Sequence, residues 1–146
     1  MLYNIMTSEL RVDNLKGSTT GGSINVLGEG TSATTNLQQG LCKAWCNFNQ
    51  ATPAITDSFN ISSVSDDSNG KHTISFSSNF GNTTYATSVY FRRNSDADAG
   101  GGYYGSNSSD TKTASAMKFK AIYIDTSDQN LTDYTELCTH FLGDLA

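Results

Sequence analysis

Between Lys43 and Phe76 the chain alternates the character of its side chains residue by residue in three successive runs, a period that suits half-buried strands and not helices. Lys43 to Asn49 alternates small or polar residues with Trp45 and its neighbours. Phe59, Ile61 and Ser63 then alternate against Asn60, Ser62 and Val64, and His72 to Phe76 sets Ile74 and Phe76 on one face. Between the last two runs lies Asp66-Asp67-Ser68-Asn69-Gly70, where Asn-Gly offers the positive φ angles of a tight hairpin. The stretch predicts an antiparallel meander of three consecutive strands, with Trp45, Phe59, Ile74 and Phe76 in its core.

Composition extends that reading to the whole chain. Ser, Thr, Asn and Gly number 19, 18, 13 and 13 among 146 residues, a poor mixture for helices because three of them compete for backbone hydrogen bonds and Gly is entropically costly there. Of 14 acidic residues 11 are Asp, which suits turns. Seven Tyr and seven Phe supply bulk for a β core. The expected fold is all-β, an antiparallel β-sandwich of about six strands preceded by an extended β or linker segment. The expected division is an N-terminal segment over 1–40 and a C-terminal sandwich over 41–146.

Along the chain, Glu9 to Leu15 reads as a strand with Leu10 and Val12 on one face, and Ile24 to Leu27 reads as its partner. Gly28 to Asn36 is Ser/Thr/Gly-rich, and such a segment buries too little apolar surface to offset its chain entropy alone. Order in it implies that other chains hold it. Leu37 to Leu41 suits a short helical turn. Beyond the meander, strands are expected over Tyr85–Arg92, Lys112–Asp125 and Tyr134–Leu142, with Ser95 to Asp110 as the longest loop.

The net charge of −5 argues against nucleic acid, which needs clustered Lys and Arg; the pair Arg92-Arg93 suits a solvated strand edge. No apolar run approaches the roughly 20 residues of a membrane span. The opening Met1 to Met6 lacks a basic region and a long apolar one, so no signal peptide is expected, and synthesis in a cytosol with release by a non-secretory route fits. Cys42 and Cys46 lie roughly 13 Å apart along a strand, too far to bridge. Cys46 with Cys138 stays geometrically open, while the odd count favours reduced, buried thiols.

Catalytic constellations are not evident. His72 and His140 stand without a metal-spaced cluster or a Gly-x-Ser-x-Gly motif, and surface or interface positions are expected for both. Asp66, Asp67 and Asn69 lack the bidentate Glu of a calcium loop, and Asp57 with Asp96 makes no convincing glycosidase pair. No metal, cofactor or enzymatic activity is expected. Four Asn-x-Ser/Thr sequons, at Asn60, Asn82, Asn107 and Asn130, follow from the composition alone. Trp45, the sole Trp, could stack on a sugar, but its place in the meander favours packing. Tyr103 and Tyr104, in a Gly-rich loop, are the receptor-binding candidates; the alternative is a loop that folds back and buries them.

The runs KAWCNFN, DSFNISSVSDD, NGKHTISFSSNF and NTTYA, in this order over about residues 41–91, resemble the tip domain of bacteriophage tail fibres, most closely those of marine phages. Ser8 to Leu15 and Phe141 to Asp144 add weaker similarity. The family more often carries Val or Ile where Cys46 stands, and its connection at Gln50–Ala54 is richer in Gly and Thr. The resemblance implies a homotrimeric virion protein, anchored to other virion proteins by its N-terminus and facing a host surface glycan or protein with its sandwich. Trp45, Phe48, Phe59, Ile61, Ile74, Phe76 and Tyr85 would then pack the core or the trimer. Leu10, Val12, Leu15, Ile24 and Val26 would anchor. The expected function is a short tail-fibre or fibre-like appendage contributing to host attachment. The alternatives are a capsid-bound decoration protein without a receptor and, from another class, a carbohydrate-binding or depolymerase module.

Overall fold

The structure, a computed structural model, describes residues 9–22, 24–28, 33–92, 102–105, 112–124 and 129–146. The chain divides into two units, Met1–Gln38 and Gln39–Ala146.

In the first unit, β1 (Asn25–Leu27) pairs antiparallel with β2 (Thr34–Asn36). The expected partner of the Ile24–Leu27 run was Glu9–Leu15, but that segment forms no strand. Its polar neighbours satisfy each other locally, as in the exposed 2.6 Å ion pair of Arg11 and Glu9. The Ser/Thr-rich stretch supplies the partner instead, because Thr34–Asn36 lies near Asn25–Leu27 in the chain and the pairing is local. The short helix α1 (Leu37–Gly40) follows where the helical turn was expected.

The second unit is all-β. Its strands are β3 (Ala44–Asn49), β4 (Ala54–Phe59), β5 (Ile61–Ser68), β6 (Lys71–Phe76), β7 (Ala86–Arg92), β8 (Gly102–Gly105), β9 (Ala116–Ile124), β10 (Gln129–Leu131) and β11 (Glu136–Leu142). Two antiparallel sheets form: a four-stranded one in the order β4-β3-β11-β7, and a five-stranded one in the order β10-β9-β6-β5 with β8 also on β9. The sandwich is therefore built from nine described strands, not six. The surplus comes from short pieces, β8 and β10, and from one run that proves to be two strands.

That run is Phe59 to Val64, and its division corrects the meander. β3 and β4 pair in one sheet, β5 and β6 in the other, and the chain crosses between them at Asn60. Asn60 has φ 57°, the left-handed region that Asn tolerates better than other non-Gly residues. Its side chain fixes the corner: Nδ2 donates to the Lys43 and Ser78 carbonyls at 3.1 Å each, and Oδ1 accepts the Ser78 N–H at 2.6 Å. Periodicity alone cannot show such a crossing, because alternation resumes on the far side.

The hairpin β5–β6 stands where Asn69-Gly70 placed it, with a bulge between Asp66 and Ser68. Only Gly70 takes a positive φ, 67°, and a Cβ there would lie 2.7 Å from Ala121 O and Thr132 N. Gly is required by both conformation and space. The tip is tied down by Asn69 Nδ2 to Leu131 O at 2.8 Å and by Gly70 N–H to Asp133 Oδ1 at 2.7 Å.

The core lies between the sheets. Phe76 meets Phe80, Phe141 and Tyr85 edge to face, with centroids 4.8, 4.9 and 5.6 Å apart. Such geometry adds to area burial through the ring quadrupoles. Phe48, Ile74 and Leu137 complete the middle, each with no exposed surface. Tyr85 is buried but not stranded: its hydroxyl donates to Thr113 O at 2.9 Å, and burial pushes its pKa up to about 12.

Candidate functional site

Register decides which side chains share a surface, since directly opposed residues of an antiparallel pair point the same way. In the four-stranded sheet, Ala44, Cys46 and Phe48 of β3 and Leu137, Thr139 and Phe141 of β11 are buried against the other sheet. The intervening residues form the outer face. One row across it reads Phe59, Trp45, His140, Ser88; the next reads Asp57, Asn47, Cys138, Tyr90. Phe59 is 52% exposed and Tyr90 58%, while Trp45 is half-buried and His140 exposed. Adjacent strands lie about 4.8 Å apart, so a four-residue row spans about 14 Å. At one margin Arg92 opposes Glu136, with Nε 3.1 Å from Oε2.

This arrangement sorts the candidates for packing the core or the trimer. Phe48, Ile74, Phe76 and Tyr85 lie in the core and Ile61 packs partly against it. Trp45 and Phe59 do not: they face outward as cross-strand partners. Cys46 rather than Trp45 points inward, because β3 presents Ala44, Cys46 and Phe48 to the other sheet and that face is already filled by Phe141 and Ile74. Tyr90 joins the exposed group without having been singled out for it, while His140 is exposed where a surface or interface position was expected. Their signal was present as alternation, Tyr90 against Phe91 and His140 against Phe141, but alternation does not say which member is outside.

The other candidates fall elsewhere. Tyr103 and Tyr104 sit in β8, opposite Ile122 and Ala121, so their backbone is a sheet edge and not the loop expected from Gly100-Gly101-Gly102. Their side chains lie outside the described residues, as do Arg93, Asp96, Asp98 and Asn107. In the first unit Leu10, Val12, Leu15 and Val26 are exposed, whereas Ile24 is half-buried.

Two thiols sit on opposite faces of neighbouring strands. Cys46 opposes Thr139, and Cys138 opposes Asn47, so their side chains diverge and remain free. Burial, with Cys138 nearby, pushes the Cys46 thiol up to about 12. Burial and the Glu136 carboxylate raise Cys138 as well. Both stay protonated and unreactive as nucleophiles near neutrality.

His72 is wholly buried, contrary to the surface position expected for it. The Gln50 side chain holds it: Oε1 accepts the Tyr134 N–H at 2.9 Å, so Nε2 donates to His72 Nδ1 at 2.9 Å. The imidazole proton of the neutral ring therefore rests on Nε2, which has no partner and lies 3.8 Å from Asp133 Oδ1. This link ties β6 of one sheet to the end of β3 in the other. Its place inside the sandwich makes it a fastening between the sheets.

No group of three or more His, Cys, Asp or Glu converges among the described residues. Asp67 of the former calcium-loop candidate instead accepts from Ser65 Oγ at 3.0 Å and Thr73 Oγ1 at 2.6 Å. An open cavity of about 290 Å³ lies where β7 begins and β11 ends, beside Asn82, Ala86, Leu142 and Asp144. Its carboxylate already accepts from Gln39 Nε2 at 2.5 Å. Among the described residues no helix is long and apolar enough to cross a membrane. The chain matches no family model, no curated protein and no solved structure.

Proposed function

We propose that this chain is a non-enzymatic, homotrimeric subunit of a short tail fibre or fibre-like appendage of a bacteriophage virion, and that it contributes to host attachment through the outer face of its four-stranded sheet. One observation carries the binding role: Phe59 and Tyr90 are exposed and Trp45 half-buried on the outer face of the sheet while ten other apolar residues fill the core behind them. Large aromatics left on a flat exposed face are the residue types that dominate recognition surfaces. The virion assignment comes from the tail-fibre resemblance over residues 41–91. In the first unit Leu10, Val12 and Leu15 remain exposed outside any strand and Val26 is exposed on a hairpin too small to be stable alone, which suits a segment seated on other virion proteins.

Two measurements test the reading. Antibody against the chain, applied to particles of a phage that carries it, should place label at the tail; label confined to the capsid supports the decoration role instead. Soluble full-length protein, added to host cells before the phage, should slow adsorption. Adsorption that is indifferent to saturating protein removes the attachment role.

A further inference from the structure

We infer that the outer face of the four-stranded sheet is a saccharide platform, and that its ligand is an uncharged glycan chain such as a neutral hexose or N-acetylhexosamine polymer. The inference rests on the attachment reading and gives it a site and a ligand class. Four features of the face point to that occupant.

First, Trp45 and Phe59 are direct cross-strand partners, so two ring systems lie side by side on one surface. The C–H face of a pyranose packs on such rings through the same dispersion and quadrupole attraction that favours aromatic contacts. Second, the next pair along the same two strands is Asn47 and Asp57, about 6.6 Å away. An amide and a carboxylate at that distance reach the hydroxyls at the edge of a ring stacked on Trp45. Ser58 N–H donates to Asp57 Oδ1 at 2.8 Å, which orients that carboxylate. Third, the bases on this face do not suit an anion. Arg92 is held by Glu136, and Asp57 lies beside the aromatic pair, so phosphate or acidic sugar would meet repulsion there. Fourth, the polar groups alternate with the rings instead of surrounding them. Asp57 and His140 would both have to leave water in a dry interface between copies, a cost that interface cores avoid by excluding charge. A glycan, apolar on its faces and hydroxylated at its edges, satisfies both kinds of group at once.

Trp45 is the only Trp, so its fluorescence reports on this face alone. Full-length protein is titrated with cello-, manno-, galacto- and chito-oligosaccharides. At least one should change Trp45 emission saturably. By calorimetry, Trp45→Ala and Phe59→Ala should each weaken that binding about tenfold or more, while Trp45→Phe, which keeps a ring, should retain most of it. A panel in which every sugar leaves the emission unchanged overturns the inference, as does binding that survives both alanine variants. Trp45 shielded from acrylamide only in a concentration-dependent oligomer assigns the face to contacts between copies and overturns it too. Adsorption competition separates the two readings. Protein that blocks adsorption but ignores the whole panel loses the saccharide site and keeps attachment. Protein that binds sugar through Trp45 but never competes keeps the site and loses attachment.

Discussion

The two faces of the four-stranded sheet are made by the same strands and differ by one residue of phase. Inward, β3 and β11 offer Ala44, Cys46, Phe48, Leu137, Thr139 and Phe141, all buried. Outward, they offer Trp45, Asn47, Cys138 and His140, none of them buried. The larger aromatic is outside and the small thiol inside, the reverse of what side-chain size suggests. The inner face has its volume filled from the opposite sheet by Ile74, Phe76 and Phe119, so a small residue fits at Cys46 where an indole would overpack. Hydrophobicity alone is thus a poor guide to which face a chain buries; the opposing sheet decides.

The largest test of that contrast is truncation of one ring on each face. Phe141→Ala should cost about 3–5 kcal/mol in denaturant unfolding, because the ring touches Phe76 and Tyr85 and leaves a cavity. Trp45→Ala should cost less than about 1 kcal/mol. Comparable losses would mean that the outer face is covered. Alkaline pH separates the faces next. An unfolded Cys loses its proton near 9 and an unfolded Tyr near 10, whereas buried Cys46 and Tyr85 hold theirs to about 12. Between those values the unfolded chain binds fewer protons, so stability present below pH 9 drains as pH rises towards 12, by about 1.4 kcal/mol per unit for each such group. Melting curves should show this fall, and Cys46→Val should make its first part shallower than Cys138→Ser does.

Smaller effects refine the picture. Gln50→Ala strands the Tyr134 N–H and His72 Nδ1 in the interior and should cost about 1–3 kcal/mol, while Asn47→Ala on the outer face should change stability by less than about 0.5 kcal/mol. Thr139 is buried with no partner for its hydroxyl, so Thr139→Val should raise stability by about 1 kcal/mol. A loss there would mean that the hydroxyl is bonded in solution.

Much of the frame was legible. Alternation located β3, β6, β7, β9 and β11 to within a few residues, because period two is a local property that each strand carries by itself. Asn69-Gly70 marked its hairpin because the left-handed φ of 67° at Gly70 is a local backbone requirement that Gly meets without steric cost. The candidate site was less legible. Trp45 was noticed, but its partner Phe59 seemed to belong to a later strand of the core. That error traces to Asn60, whose left-handed corner sends β4 and β5 to different sheets while the sequence runs on unbroken.

The sequence by itself determined that this chain is all-β, where most of its strands lie, and that Trp45 and Cys46 take opposite sides. Each follows from backbone sterics and side-chain alternation within a few neighbours. Tertiary structure alone decided which side is which. β3 pairs with β11 across some ninety residues, with Trp45 opposite His140 and Cys46 opposite Thr139, and the second sheet then closes over one face. Until that closure the two faces differ only in phase. After it, one is a core and the other carries Phe59 and Tyr90 exposed to solvent beside half-buried Trp45.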